Sequence, residues 1–359
     1  MKRNLLTSIM AFFLLAVSAS AGKVEAGEPG VQWSVEKAMS WYNGNPWFCG
    51  VNYIPAYALN YTAMWDKTTF DPKAIDAELS LMEETGMNCA RVVLQYAVWE
   101  DDAKYFKRVF KKFLALCDNH NIKVMPIFFD DCVFGVNTDP KVGDQGEPLK
   151  GWYAWAWSPS PGRSMVYDER THWKLERYVK DIMTTFKDDD RIMLWDLYNE
   201  PSSDSWTLLR SVFKWAREVN PSQPISTCMW KDDAEYDSFL AENCDVLTFH
   251  CYAGRERTLS TIKRINSYGR PVICTEWMNR VQDSCIRNCL DLFLDNNTGC
   301  MLWGLVNGKT QTELPWGHRP EMGEWTGPWQ HDIYHGDHTP YDPEEISIIK
   351  GTIEKANKR

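Results

Sequence analysis

From Tyr42 onward, short apolar runs alternate with amphipathic segments. The apolar runs are Phe48 to Tyr53, Met87 to Leu94, Lys123 to Phe129, Ile192 to Tyr198, Pro224 to Cys228, Val246 to His250, Pro271 to Thr275 and Cys300 to Leu305. Each is too short for an ordinary helix, and near-continuous apolarity without alternation is the mark of strands buried on both faces of a parallel sheet. Between and after them lie segments with helical spacing: Asp71 to Thr85, Lys104 to Asn119, Thr171 to Phe186, Ser205 to Val219, Asp233 to Asn243, Thr258 to Tyr268, Gln282 to Asp295 and Pro343 to Lys355. In one of them Phe106, Val109, Phe110, Phe113 and Leu116 share a single face. Asp71-Pro72 sets a capping residue before a proline at the first helical position. Eight strands, each followed by a helix, predict one α/β domain, a (β/α)8 TIM barrel spanning residues 41–359. Residues 22–40 read as a polar, mobile lead-in.

Two connections exceed the usual handful of residues: 130–169 after the third strand and 306–341 after the eighth. Trp152, Trp155 and Trp157 lie in the first, and Trp316, Trp325 and Trp329 in the second. A barrel carries its chemistry on the loops at the C-terminal ends of its strands, so both loops are expected to shape a site. The tryptophans of the second either line a cleft or form the loop's own small core.

The strand ends are therefore where chemistry is sought. The stretch Arg191 to Pro201 runs apolar and then ends in Asn199, Glu200 and Pro201. The proline removes the next ladder donor and turns the chain out of the sheet just after Glu200. Arg91 lies in the second strand, Asp130 and Asp131 close the third, His250 and Tyr252 flank the end of the sixth, Glu276 ends the seventh and Trp303 sits in the eighth. Alone, Asn-Glu-Pro reads equally well as a helix cap. With Glu276 at the opposite lip, a structural explanation must account for two carboxylates at the functional face of one barrel. Two such groups flanking a sugar suffice to cleave a glycosidic bond, one protonating the leaving oxygen while the other attacks or activates water. A neighbouring Arg keeps one ionised, a Tyr hydroxyl bonds it, an Asn amide holds the sugar 2-hydroxyl and a Trp ring offers the sugar a flat apolar face. His250 also fits a buried, hydrogen-bonded imidazole. Arg91 needs a carboxylate in any case, Glu276 being the obvious one. Asp196 has the parity of Glu200 and reads as a deeper structural acid. Trp99, ahead of Glu100, Asp101 and Asp102, either shapes a subsite or belongs to a solvated acidic loop.

On these residues the chain resembles the clan A retaining glycoside hydrolases, and most of all the family 5 cellulase, mannanase and xylanase-related enzymes. The resemblance in topology covers most of residues 41–359. It implies that Glu200, in Asn199-Glu200-Pro201, is the acid/base and that Glu276, in ICTEWM, is the nucleophile. Arg91, His250, Tyr252 and Trp303 fall on the family's second-strand Arg, sixth-strand His-x-Tyr and eighth-strand Trp. It implies double displacement on a plant-type β-linked oligo- or polysaccharide of the glucan, xylan or mannan class, with no cofactor and with carboxyl groups about 5 to 5.5 Å apart. The chain departs from the pattern at the end of the third strand, where the family often has His or Asn and this chain has Phe129, Asp130, Asp131 and Cys132. Asp130 then either replaces the polar sugar contact or caps the long loop.

Composition adds few constraints. Lys2 and Arg3, the apolar stretch Leu5 to Val17 and Ala19-Ser20-Ala21 read as a signal peptide over residues 1–21, with no acylated Cys following, so a periplasmic or secreted enzyme is expected. Removing it takes the charge from -10 to 37 − 49 = -12, which disfavours nucleic acid and anionic membranes as partners. The chain beyond it has no run long and apolar enough for membrane insertion. Eighteen tryptophans are compatible with a heavy core or with sugar platforms. The eleven cysteines lack zinc-type spacing and read mostly as apolar fillers, with Cys285 and Cys289, and Cys244 and Cys251, as candidate disulfide members. The run His331 to His338 contains HxxxH, but its Gly and Pro neighbours argue for a loop over the cleft instead of a metal-binding helix face. Two rival readings are a non-catalytic carbohydrate-binding barrel and a metal-dependent hydrolase, the latter short of strand-end histidines. Oligomeric state is open.

Overall fold

A computed structural model describes residues 30–359; the segment 1–21, expected to be a signal peptide, lies outside them. Parallel strands β1 (Cys49–Asn52), β2 (Cys89–Val93), β3 (Lys123–Asp130), β4 (Trp195–Asn199), β5 (Ile225–Ser226), β6 (Cys228–Met229), β7 (Leu247–His250), β8 (Val272–Trp277) and β9 (Gly299–Trp303) pair in the order β5-β4-β3-β2-β1-β9-β8-β7-β6. The two ends of that order, β5 and β6, are separated only by Thr227, so the chain itself closes the ring. They are the halves of the fifth expected strand, and the sixth, seventh and eighth are β7, β8 and β9. The structure is thus the expected (β/α)8 barrel. Its strands are legible as apolar runs because nearly every strand residue is buried, with helices outside and packed side chains within.

The helices fall where the spacing places them. Pro72–Thr85 starts on Asp71, whose carboxylate accepts from the Lys73 and Ala74 amides, and ends at Gly86 with φ 82°. Ala103–Asn119 buries Phe106, Val109, Phe110, Phe113 and Leu116 as its apolar stripe requires.

Part of the lead-in is not a mobile tail. Val35–Asn43 is helical, and Trp33, Ala38, Trp41 and Tyr42 pack with Phe48, Met125, Met193, Ile273 and Met301 in a cluster at the strands' N-terminal ends. The Trp33 amide is held by Asp245 Oδ1 at 2.7 Å. Burying these rings offsets the entropy of ordering the segment. Among the described residues all eleven cysteines are free, so neither candidate pair is bridged. Cys244 Sγ lies 3.8 Å from the Thr227 carbonyl, while Cys251 Sγ lies 3.6 Å from Thr258 Oγ1, each serving as a small core filler.

Candidate active site

At the C-terminal mouth, β4 stops at Asn199, and Glu200 takes φ 44°, a left-handed value uncommon outside glycine. That turn, fixed by Pro201 behind it, aims the Glu200 carboxyl over the barrel. The turn is anchored by Asp131, which accepts from the Ser202 amide at 2.8 Å and from Tyr198 OH at 2.8 Å. Register shifts next to His250 and between Cys274 and Trp277 re-aim the ends of β7 and β8, a common use of bulges at barrel rims.

Arg91 is the centre of the floor and is buried. Its five N–H groups are all engaged: Nε and Nη2 donate to Asp196 Oδ2 at 2.9 and 2.8 Å, Nη1 to Asn52 Oδ1 at 2.8 Å and Glu276 Oε1 at 2.7 Å, and Nη2 to Asn199 Oδ1 at 2.7 Å. Burial pushes the Asp196 carboxyl up to about 6 against the opposing pull of Arg91. Asp196 is thus the structural acid of the floor, with Oδ1 unpartnered.

Glu276 receives a second donor, Tyr252 OH to Oε2 at 2.6 Å. Two strong donors, one cationic, fix this carboxyl with its face to the cavity. Glu200 is held differently. Its Oε1 lies 2.6 Å from His250 Nδ1 and its Oε2 3.5 Å from the Cys132 thiol. Burial raises its pKa, which favours a protonated acid. Burial also lowers the His250 pKa to about 3, so the imidazole is neutral. A neutral ring donates Nδ1–H to an ionised Glu200 or accepts the proton of an acidic one, and so matches either state of the carboxyl. The two carboxyls thus sit in contrasting environments, the arrangement by which one becomes an acid and the other stays a base.

Glu200, His250 and Glu276 each present one atom of metal-ligand type, all within 4.8 Å of one another. An ion there would displace the guanidinium from Glu276 and the imidazole from Glu200, and Arg91 already supplies the positive charge. The donor set suits a proton-transfer pair better than a metal. The run His331 to His338 forms no metal cluster among the described residues; His331 is buried, and His335 packs on Trp329.

These groups open into a cavity of about 240 Å³ lined by Asn52, Tyr61, Arg91, Cys132, Phe134, Tyr153, Trp157, Asn199, Glu200, Tyr252, Glu276, Trp303 and Trp316, among others. Of the expected site residues, Glu200, Glu276, Arg91, Asn199, Tyr252 and Trp303 line it, and His250 lies beneath, bonded to Glu200.

Of the two alternatives for Asp130 the sugar contact is corrected and the loop cap holds, and the Trp99 expectation is corrected. Asp130 makes no wall of the cavity: Oδ1 accepts from Asn199 Nδ2 at 2.8 Å and the Cys132 amide at 3.1 Å, and Oδ2 from Trp157 Nε1 at 2.9 Å. Wholly buried and fully bonded, it ties down the long loop instead of meeting a sugar. Trp99 is buried on the helix Tyr96–Asp101 against Tyr178, its Nε1 donating to Asp181 at 2.8 Å; its apolar body is drawn into the helix layer, away from the mouth. The Asn199 amide has also been claimed by Asp130, leaving only a 3.6 Å contact with Cys132 Sγ for a sugar hydroxyl to displace.

Asn52, Cys132, Tyr61, Phe134 and Tyr153 were not singled out from the sequence. Asn52 was accessible to the strand-end argument, as the last residue of β1; Tyr61 starts the short helix Tyr61–Trp65, and the rest sit on a loop whose path the pattern does not fix. Trp316 lines the cavity, edge-on to Tyr252 with centroids 4.9 Å apart, whereas Trp325 and Trp329 line a separate pocket of about 410 Å³ with Gln311, Glu313 and His318. The tryptophan alternatives are thus divided within one loop.

A family model described as Cellulase (glycosyl hydrolase family 5) matches residues 54–309. Similar solved structures include GH5_18 from Streptomyces cattleya in complex with GlcNAc, at 11% identity, TM-score 0.62, and 88% and 81% of the two chains covered. The endo-1,4-β-D-mannanase of Thermotoga petrophila RKU-1 follows at 15% identity, TM-score 0.57, covering 86% and 99%. The exo-β-1,4-mannosidase Op5Man5 from Opitutaceae bacterium strain TAV5 has 16% identity, TM-score 0.60, and 86% and 60% coverage. At such identities the likeness is one of fold. In sequence, the endo-1,4-β-xylanase B of Thermotoga neapolitana is 30% identical over 98 residues, an alignment spanning 27% of each chain.

Proposed function

Because the chain belongs to the cellulase family, glycosyl hydrolase family 5, we propose that it is a retaining β-glycoside hydrolase in which Glu276 is the nucleophile and Glu200 the acid/base. One observation carries this reading: a carboxylate oxygen of Glu200 and one of Glu276 lie within 4.8 Å of each other, Glu276 bound by a cation and a phenol and Glu200 pushed by burial towards its acid form. That gap accords with the roughly 5 to 5.5 Å of retaining pairs and leaves no room for the water of an inverting pair at about 6.5 to 9.5 Å.

In the first step a Glu276 oxygen attacks the anomeric carbon. The glycosidic C–O bond breaks, its electron pair stays on the leaving oxygen, and that oxygen takes the Glu200 proton. In the second step Glu200, now a carboxylate, takes a proton from water as the water oxygen attacks the same carbon and releases Glu276. His250 Nδ1, 2.6 Å from Glu200 Oε1, holds that carboxyl in place through both steps.

The substrate is a plant-type β-linked oligo- or polysaccharide of the glucan, xylan or mannan class. β-Mannosides head the order of trial, because two of the similar solved structures are a mannanase and a mannosidase. The cavity supports attack on a terminal sugar: about 240 Å³ is small beside the roughly 300–1,000 Å³ of sites that enclose drug-sized ligands, and rings from both long loops wall it. Export through residues 1–21 belongs to the same proposal.

The test is hydrolysis of an aryl β-glycoside panel by wild type, Glu200→Ala and Glu276→Ala, with azide as external nucleophile. Loss in both variants is expected, with α-glycosyl azide formed by Glu276→Ala and β-glycosyl azide by Glu200→Ala. Variants as active as wild type would refute the assignment, and sugar binding without turnover by wild type would favour a carbohydrate-binding barrel.

A further inference from the structure

His331 lies on the loop after β9, is wholly buried and does not line the catalytic cavity. Its ring is nevertheless packed on four rings that do: Trp303 at 5.5 Å and 27°, Tyr252 at 5.7 Å, Tyr153 at 6.0 Å and Trp316 at 6.1 Å between centroids. These come from β9, the lip of β7 and both long loops, so one imidazole is the shared packing surface of walls that are otherwise far apart in the chain.

Its orientation is fixed by hydrogen bonds whose polarity leaves no choice. The Met278 carbonyl can only accept, so His331 Nδ1, 2.7 Å away, carries the hydrogen. Nε2 is then an acceptor and receives Gln330 Nε2–H at 3.0 Å. The amide orientation agrees, since Gln330 Oε1 accepts from the Trp316 amide and from Asn279 Nδ2, each at 3.1 Å. Met278 is two residues beyond Glu276, with φ 76°. The chain of bonds therefore ties the strand of the nucleophile to the backbone of Trp316, with the imidazole plane set between. Burial lowers the His331 pKa to about 3, so protonation does not break the Gln330 bond at working pH.

We propose that His331 is a positioning residue that sets the tilt of Trp303 and the placing of Tyr252 and Trp316, and through them the fit of the sugar in the catalytic cavity. The proposal rests on the glycosidase reading above. It predicts that the ring matters more than the hydrogen bonds for substrate affinity: an apolar ring of similar outline still supports Trp303, whereas a methyl group leaves it free to tilt into the vacated space.

The experiment compares wild type, His331→Phe and His331→Ala on the best aryl β-glycoside of the panel, well below each variant's unfolding midpoint. His331→Ala is expected to raise KM at least tenfold with a smaller change in kcat, and His331→Phe to hold KM within about threefold of wild type. A folded His331→Ala with KM within threefold of wild type overturns the proposal, as does equal loss in both variants confined to kcat. Should His331→Ala not fold, His331→Asn takes its place under the same thresholds, because it keeps a donor for Met278 but no ring. Turnover by wild type tests the glycosidase reading separately; if there is none, His331 is judged by quenching of tryptophan fluorescence with free mannose, glucose and xylose. Weaker quenching of the Ala than of the Phe variant supports the proposal, and equal quenching overturns it.

Discussion

Replacing Arg91 by Met tests the floor of the site, because the guanidinium is the one group that touches Glu276, Asp196, Asn199 and Asn52 together. Methionine keeps the length and apolar stem and removes the charge and all five donors. Taking one member out of a buried ion pair costs ~3–5 kcal/mol, since the carboxylate left behind stays desolvated. The loss should depend on pH in a defined direction. Asp196 already sits at about 6 with Arg91 pulling it down, so without Arg91 it moves higher still. A carboxyl raised in the fold favours the native state while protonated and penalises it once pH passes the raised value. The Asp196 part of the stability gap between wild type and Arg91→Met is therefore small near pH 5, opens above about pH 6 and reaches at most ~3 kcal/mol by about pH 8. At the nucleophile, one of two donors disappears; a hydrogen bond to a charged group is worth ~1.5–3 kcal/mol, or about 10- to 100-fold in kcat/KM. Urea unfolding at several pH values and kcat/KM on an aryl β-glycoside measure the two effects. Arg91→Lys, with three N–H groups in place of five, is expected between wild type and Met. A stability gap independent of pH, or a Met variant within threefold of wild-type kcat/KM, would refute the reasoning.

Two further outcomes follow from the same geometry. Cys132→Ala removes the thiol facing Glu200 Oε2 at 3.5 Å; that donor holds the Glu200 pKa down, so its loss should move the alkaline limb of the kcat/KM profile to higher pH, and a downward or absent change would sever Cys132 from the acid/base. Glu78, bonded to Tyr53 OH at 2.8 Å and the Ala56 amide at 3.0 Å, is pushed by burial up to about 7 from 4.5. Its contribution of ~3 kcal/mol is complete below about pH 4.5 and lost as pH rises through 7, so Glu78→Gln should flatten the fall in unfolding free energy between pH 5 and 8; an unchanged slope would contradict the burial argument.

The strands were readable because a barrel strand is buried on both faces and so appears as an unbroken apolar run. Glu200, Glu276, Arg91, Tyr252 and Trp303 were readable because this fold gathers chemistry at the C-terminal ends of its strands. What the sequence concealed depends on partners that only the closed fold supplies. Asp130 looked available to a sugar until Trp157, 27 residues on, returned to bond it. Trp99 looked like a subsite wall until Asp181, on a helix far along the chain, took its indole N–H. His331 stood in a run suggesting metal or a plain loop, and nothing in its neighbours announces four rings around it. The lead-in appeared polar because Trp33 and Ala38 are diluted among charged residues, although with Trp41, Tyr42 and Phe48 they pack over the bottom of the barrel.

These concealed contacts bear on where specificity resides. The strand-end polar groups are largely spent on one another: Arg91 has no free donor, Asp130 no free oxygen, and Asn199 only its contact with Cys132. Their effect is to fix two carboxyls in contrasting surroundings, Glu276 on Arg91 and Tyr252 and Glu200 on His250 and Cys132, before any sugar arrives. Few polar groups then remain on the floor to distinguish one hydroxyl configuration from another. The surfaces left to do so are Phe134, Tyr153, Trp157 and Trp316 on the two long loops and Tyr61 on the short helix Tyr61–Trp65, with Trp303 beneath them. Flat rings select by shape, by which sugar face is apolar and by how much room stands between the walls. On the proposed reading, the lips of the strands would set the reaction, and the rings above them, with the imidazole wedged behind, would set the sugar.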